Sequence, residues 1–206
     1  MSGSLLAAAR LATALVVALS GCSAHTSTAS SSTASSSTAS PSADYSALLI
    51  KASDITQPAD FFTNAAATGF TGGAPTVNPK GKPGVAGVFK SQDASRQIND
   101  TVVVLADDSA AKSALETAVA GIGSLVSIPT PQCFSAGENG TMFSGSSPDQ
   151  SKTVTVVMFT RGKAFATLEF DGAPNDPVDV GFINDVGQKQ DAAIKAGLSS
   201  AEVRAT

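Results

Sequence analysis

The feature that most limits the fold is a pair of β-rich segments, residues 153–160 and 163–170, joined by Arg161 and Gly162. Runs of β-branched and aromatic residues of this length are typical of strands. A glycine in a two-residue connection can take the positive φ that a tight hairpin needs. Because side chains alternate between the two faces of a strand, we expect a hairpin whose core face carries Ala164, Ala166, Leu168 and Phe170.

Other periodic segments add strands and two helices to this hairpin. Asp107 and Asp108 are placed to cap a helix over about 109–122. A second helix is predicted over about 180–196, with Gly197 just beyond its carboxyl end. Further strands are predicted at 85–90, 97–105 and 141–144. The order ββα–βββα predicts an α+β fold, with a mostly antiparallel sheet and the helices packed on one face.

Two segments rich in proline or glycine are predicted as loops. Residues 71–84 are a candidate binding lip, or only a surface connector. Residues 129–134 contain two prolines and Cys133. The stretch 59–63 has mixed periodicity and is compatible with a short helix or with irregular packing.

The first 21 residues have the pattern of a cleavable export signal. Arg10 is their only charge, and the apolar run 11–19 is too short to cross a bilayer core, which takes roughly 20 apolar residues. The run ends in Leu-Ser-Gly followed by Cys22, which resembles the lipobox of bacterial lipoproteins. This resemblance implies a diacylglycerol and acyl chains such as palmitate on Cys22, and an anchor at the outer face of the cell membrane.

Residues 22–43 are predicted as the lipidated cysteine and a flexible tether. They repeat Ser, Thr and Ala without a charge or a large apolar side chain, so burial cannot offset the entropy of ordering them. About twenty such residues have a typical reach of roughly 25 Å. The tract is also compatible with O-glycosylation. Residues 44–206 are then predicted as a single α+β domain.

The cysteine and histidine content limits the available chemistry. With Cys22 lipidated, Cys133 has no intrachain partner; a buried structural role is favoured, then an intermolecular disulfide, then a reactive thiolate. The one histidine, His25, falls in the tether, so a catalytic triad or a zinc site is not expected in the domain. We expect no catalytic residue, no metal and no cofactor. Loss of the signal changes the net charge from −4 to −5, which disfavours a nucleic-acid partner.

Two groups of acids are the remaining candidates for chemistry. Glu169 and Asp171 are two apart near a strand end and could act as an acid–base pair, although a solvated sheet face is favoured. Oxygen ligands for a hard cation such as Ca²⁺ are also available after the last strand, although the same residue types are typical of turns. These ligands would be Asp171, Asn175, Asp176 and Asp179.

The lipobox, the Ser/Thr tether and the Ala/Gly/Val-rich domain together resemble cell-envelope lipoproteins of mycobacteria and other actinobacteria. Within the domain, residues 101–105 before a helix and 162–165 at the start of a late strand are similar to extracellular sensor domains of mycobacterial receptor serine/threonine kinases. The resemblance implies an extracytoplasmic location and transfers no functional residue.

Three functions follow from these observations, in order of preference. The first is non-catalytic binding of an apolar or lipidic envelope molecule, since small side chains on a core strand face could leave space beneath the helices. The second is an accessory or sensory module that docks another envelope protein through residues 71–84 or 171–179. The third is a hydrolase that uses carboxylates alone.

Overall fold

The computed structural model describes residues 44–56 and 69–204. Within these ranges lie eight strands and two α-helices. The strands are β1 (Phe70–Gly72), β2 (Thr76–Val77), β3 (Gly84–Ser91), β4 (Gln97–Val104), β5 (Ser127–Cys133), β6 (Glu138–Ser146), β7 (Thr153–Arg161) and β8 (Ala164–Gly172). The helices are α1 (Asp108–Ala120) and α2 (Val180–Arg204).

The strands form one sheet in the order β1-β3-β4-β8-β7-β6-β5, and β2 pairs with β3 beside β1. Every pairing is antiparallel. The predicted α+β class and antiparallel sheet are therefore confirmed. The long central strands are β3, β4, β8 and β7, each buried on at least one face.

The β7–β8 hairpin matches its prediction closely. Gly162 has a φ of +52° at the turn, and Arg161 pairs with Ala164, so the two connecting residues are Gly162 and Lys163. The predicted connection of Arg161 and Gly162 is wrong by one position, because Arg161 is still paired within β7. The predicted core face of β8 is buried along its whole length, with at most 1% of each side chain exposed: Ala164, Ala166, Leu168 and Phe170.

The two helices lie on opposite faces of the sheet, which corrects the prediction of one shared face. Val157 of β7 packs in the same cluster as Ile183 of α2. Its neighbour Val156 points the other way and packs with Leu115 of α1. The physical reason is that β7 is buried at every position from 154 to 160, and a strand that is apolar on both faces needs cover on both.

Residues 129–134 were predicted as a loop, but most of this stretch belongs to β5 at the edge of the sheet. Phe134 donates its N–H to the carbonyl of Gly140, so by alternation the N–H position of Pro131 faces away from β6. Pro129 lies in the stretch between Ser127 and Thr130, where the pairing with β6 is irregular. Proline is tolerated there because an edge strand bonds on one side only. β1, β2 and β5 were not predicted as strands. They change the order of elements from the predicted ββα–βββα to ββββα–ββββα.

Cys133 ends this edge strand and is exposed. The favoured prediction of a buried structural cysteine is therefore wrong, because the residue lies on the free edge of the sheet rather than in its interior.

α2 continues through Gly197, where the sequence predicted its end. A Cβ at Gly197 would come within 2.5 Å of Leu48 Cδ2 and 3.1 Å of the Ala47 carbonyl oxygen. Gly197 therefore lets residues 47 and 48 pack closely against α2, and it does not act as a C-cap. Within residues 44–56 and 69–204, no helix is both long enough and apolar enough to cross a bilayer.

Candidate ligand-binding cleft

Residues 44–56, here called the amino-terminal segment, pack against both α2 and β3. Their backbone is held by Gln190, a fully buried polar side chain of α2. Gln190 Nε2 donates to the Leu48 carbonyl at 2.7 Å, and its Oε1 accepts from the Ile50 N–H at 2.9 Å. The amide therefore bonds the segment as a neighbouring strand would, and satisfies its own buried groups.

The preceding residue of α2, Lys189, holds the end of the same segment. Lys189 Nζ donates to the Asp54 carbonyl at 2.8 Å and pairs with Asp185 Oδ2 at 2.7 Å. The amino-terminal segment is thus attached at two points to one helix, and its other side is left facing the sheet edge.

An open cleft of about 460 Å³ lies between the amino-terminal segment and the β1–β3 edge. Leu49 and Phe89 form its apolar walls, Pro75 lies on the lip, and Lys51 supplies a cation. Gly72, Gly73 and Gly87 also line it. Part of the predicted 71–84 lip therefore does border a cleft, and the glycines leave backbone groups facing it.

The three glycines leave different amounts of room. A Cβ at Gly87 would lie 3.1 Å from Leu49 Cδ1 and 3.4 Å from the Phe89 ring, so these two side chains cover Gly87. A Cβ at Gly73 would have no atom within 4 Å. Gly73 therefore faces open space and could accept a larger side chain.

Asp100 lies directly beside this cleft wall. It pairs across the sheet with Gly87 on one side and with Leu168 on the other. The residue is fully buried, and neither carboxyl oxygen has a hydrogen-bond partner. Burial raises the pKa of Asp100 well above its usual value, because a low-dielectric surrounding favours the neutral form of a carboxyl.

The predicted pair Glu169 and Asp171 does share one face, where a single ammonium bridges it. Lys152 Nζ lies 2.6 Å from Asp171 Oδ2 and 3.5 Å from Glu169 Oε1. Burial raises the pKa of Glu169, and the charge of Asp171 raises it further against the opposing effect of Lys152. Burial lowers the pKa of Lys152, but the bond to Asp171 and the two negative charges outweigh it, so that pKa is raised. None of the three lines the cleft.

The loop acids considered as cation ligands are divided among separate partners. Asp176 Oδ2 accepts from Arg96 at 2.6 Å. Asp179 Oδ1 accepts from the Phe182 N–H at 2.9 Å and so caps α2. Asp171 is held by the ammonium described above. Within the described ranges, no group of three acids, histidines or cysteines is placed to hold a metal ion.

A repeated turn that was not predicted from the sequence occurs at 91–96 and 147–152; in both copies it reads Ser-x-Asp-x-Ser followed by a basic residue. In both copies the first serine hydroxyl donates to the aspartate at 2.6 Å. The second serine donates through its N–H and its hydroxyl. The fourth residue has a φ of +57° in both. The repeat of the same residue pattern at two places in the sequence could have indicated these turns.

These turns lower the pKa of their aspartates. The serine hydrogen bonds lower the pKa of Asp149 to about 2. The same kind of bonds, first from Ser91 and then from Ser95, lower the pKa of Asp93. A basic residue ends each turn and pairs with an acid near the end of β8. Arg96 pairs with Asp176, which follows β8, and Lys152 pairs with Asp171, which lies within it. The two turns therefore flank the carboxyl end of β8.

The other residues singled out by the sequence are not part of this site. Cys22, His25 and the 59–63 stretch lie outside the described residues. Cys133 lies on the β5 edge, at the end of the sheet opposite to β1 and the cleft. Asp100 and Gln190 were not predicted. Asp100 could have been noticed in the sequence, because it takes the position between Ile98 and Val102 on the face of β4 where the alternation predicts an apolar residue.

Comparison with known proteins finds little at the level of sequence. No protein-family model matches the chain, and no curated protein is detectably similar to it. The fold is similar to that of the extracellular domain of PknH from Mycobacterium tuberculosis, with 11% identity and a TM-score of 0.48. The alignment covers 75% of this chain and 95% of that domain.

Proposed function

We propose that this protein is a non-catalytic, lipid-anchored binding protein of the cell envelope, and that it holds an apolar or lipidic molecule in the cleft beside β1 and β3. The observation that carries the proposal is the cleft itself. Leu49, Phe89 and Pro75 offer apolar surface, and Gly73 leaves the space open. Concave, mostly apolar sites with a few polar groups are typical of small-molecule binding.

The charges of the domain favour binding over hydrolysis. The two candidate carboxylates, Glu169 and Asp171, share one ammonium and lie outside the cleft. A glycosidase-type pair would flank the bond to be cleaved within a cleft. Asp100, the acid beside the cleft, is fully buried, and burial favours its neutral form, which is suited to hydrogen bonding.

The predicted anchor would place this cleft close to the membrane. The cleft wall begins at Ser46, immediately after the predicted tether of residues 22–43. With a typical tether reach of roughly 25 Å, the cleft could exchange an apolar molecule with the outer surface of the bilayer.

The proposal is tested by a substitution that fills the cleft. We expect Gly73→Leu to fill open space without a clash and to abolish retention of the bound molecule. Gly123→Leu is the matched control, because a Cβ at Gly123 also has no atom within 4 Å and Gly123 does not line the cleft.

Native mass spectrometry of each protein, purified from its own cells, is the measurement. An added mass in the wild type and in Gly123→Leu, but not in Gly73→Leu, is the expected result. Apo protein in repeated wild-type preparations, or an added mass that Gly73→Leu retains, would contradict the proposal.

A second candidate function, docking to another envelope protein, is favoured by the two like-built turns beside β8. Arg96 binds Asp176 and Lys152 binds Asp171, so the 171–179 loop is held in a preorganised form. Preorganised surfaces lose less entropy on association. A photo-crosslinker at the exposed Asn175 should capture one reproducible protein on intact cells, and capture of none would remove this candidate.

A further inference from the structure

A buried polar side chain without a partner is rare in a folded protein and calls for an explanation. Asp100 is such a group, with both oxygens buried and unbonded. Leaving a buried polar group unsatisfied is destabilising, because its hydrogen bonds to water are lost and not replaced. A core position flanked by Ile98 and Val102 would be filled more stably by an apolar residue.

The surroundings of Asp100 point toward the cleft. Its cross-strand partner Gly87 has no side chain and lines the cleft. The atoms nearest to a Cβ placed on this glycine are Leu49 Cδ1 and two carbons of the Phe89 ring. Leu49 belongs to the amino-terminal segment, so a turn of its side chain would join the cleft to the space above Gly87 and to the Asp100 carboxyl.

We propose that the occupant of the cleft is an apolar molecule bearing one neutral donor–acceptor group, a hydroxyl or a primary amide, which hydrogen-bonds to Asp100. This inference rests on the proposed function. It adds the chemical class of the ligand and the residue that recognises it. The apolar part lies between Leu49 and Phe89, and the polar group reaches past Gly87.

The charges around Asp100 and the cleft favour a neutral polar group. A protonated carboxyl offers one O–H donor and one carbonyl acceptor, and a hydroxyl or amide complements both. Burial favours this protonated form. A cationic ligand would meet Lys51 at the cleft. An anionic group placed against Asp100 would lie away from Lys51, because no described residue on the Asp100 face of β3, β4 and β8 is a cation.

The experiment compares three ligands of equal chain length on the full-length protein: 1-octanol, 1-chlorooctane and octylammonium. Affinities are measured from the amide NMR shifts of Gly72, Gly73 and Gly87. Since one hydrogen bond contributes about 1 ± 0.5 kcal/mol, we expect 1-octanol to bind about fivefold more tightly than 1-chlorooctane. Octylammonium should bind more weakly than 1-octanol.

Variants assign this preference to Asp100. Asp100→Leu should lose it, Asp100→Asn should retain most of it, and the surface control Asp108→Asn should leave it unchanged. In the wild type, the ¹³Cγ resonance of Asp100 should shift with 1-octanol and not with 1-chlorooctane. This last measurement needs no variant.

The failures are distinguishable. Equal binding of 1-octanol and 1-chlorooctane, a preference kept in Asp100→Leu, or tighter binding of octylammonium would overturn the role of Asp100 and leave the cleft proposal in place. No shift at the cleft glycines with any of the three ligands would overturn both.

Discussion

At the scale of single residues, Asp100 and Gln190 show two outcomes for a polar group in the core. Gln190 is fully buried but satisfied, because its amide bonds the backbone of Leu48 and Ile50. Asp100 is fully buried and unsatisfied. The first contributes to stability, whereas the second reduces it.

Removal of the Asp100 carboxyl should therefore stabilise the protein. We expect Asp100→Leu to raise the free energy of unfolding by about 2 kcal/mol, or the Tm by roughly 4–8 °C. Thermal melts followed by circular dichroism check this. A fall in Tm at neutral pH would show that the carboxyl has a structural partner.

The pH dependence has a definite sign. The pKa of Asp100 is raised on folding, so the folded state keeps a proton that the unfolded state loses above its ordinary pKa of about 3.8. Stability is lost as the pH rises from there toward the folded pKa. The Tm gain of Asp100→Asn over wild type should thus be absent near pH 3.5 and grow toward pH 7.

At the scale of elements, the two serine–aspartate turns connect long strands at one end of the sheet. Each aspartate accepts bonds from both serines of its turn, and the basic residue that follows extends to an acid near the end of β8. The hairpin connections and the loop before α2 are thereby tied together by local, charge-assisted bonds.

These turns should give a stability component that is lost in acid. The pKa of Asp149 is depressed from 3.8 to about 2. Its contribution is therefore fully present above pH 4 and is lost as the pH falls from about 4 to about 2. Asp149→Asn keeps a side-chain oxygen acceptor but cannot ionise, so its Tm should lie a few degrees below wild type at pH 6.

That difference between Asp149→Asn and wild type should disappear by pH 2. Asp108→Asn is the control, because no turn serine contacts Asp108. A constant Tm difference from pH 6 to pH 2 would show that the effect is not one of ionisation.

The elements also show where sequence reasoning succeeds. The β7–β8 hairpin and α1 were predictable because alternation and capping by Asp107 are local signals; the Ala110 N–H does bond Asp107 at 2.8 Å. β5 was not predictable, because Pro129 and Pro131 disfavour a strand unless it lies at an edge, and edge position is a tertiary property.

At the scale of the whole molecule, the predicted anchor is the main property to test. Cys22→Ser should move the protein from the membrane fraction to the soluble fraction and abolish incorporation of labelled palmitate. Cys133→Ser is the matched control and should remain in the membrane fraction, because Cys133 lies on the sheet edge.

Cell fractionation with immunoblotting is the measurement. Retention of Cys22→Ser in the membrane fraction, with palmitate incorporation unchanged, would contradict lipidation at this residue. Retention without palmitate would point to anchoring by an uncleaved signal.

The sequence by itself determined the class of the fold and its longest strands, because hydrophobic alternation and turn residues act over a few neighbouring positions. The same local signals predict a tether and an anchor at Cys22. Only the tertiary structure decided which face each helix covers, that α2 runs past Gly197, and that Gly87 and Asp100 meet beside a cleft. Those features depend on which distant segments come together, and packing between distant segments leaves no period in the chain.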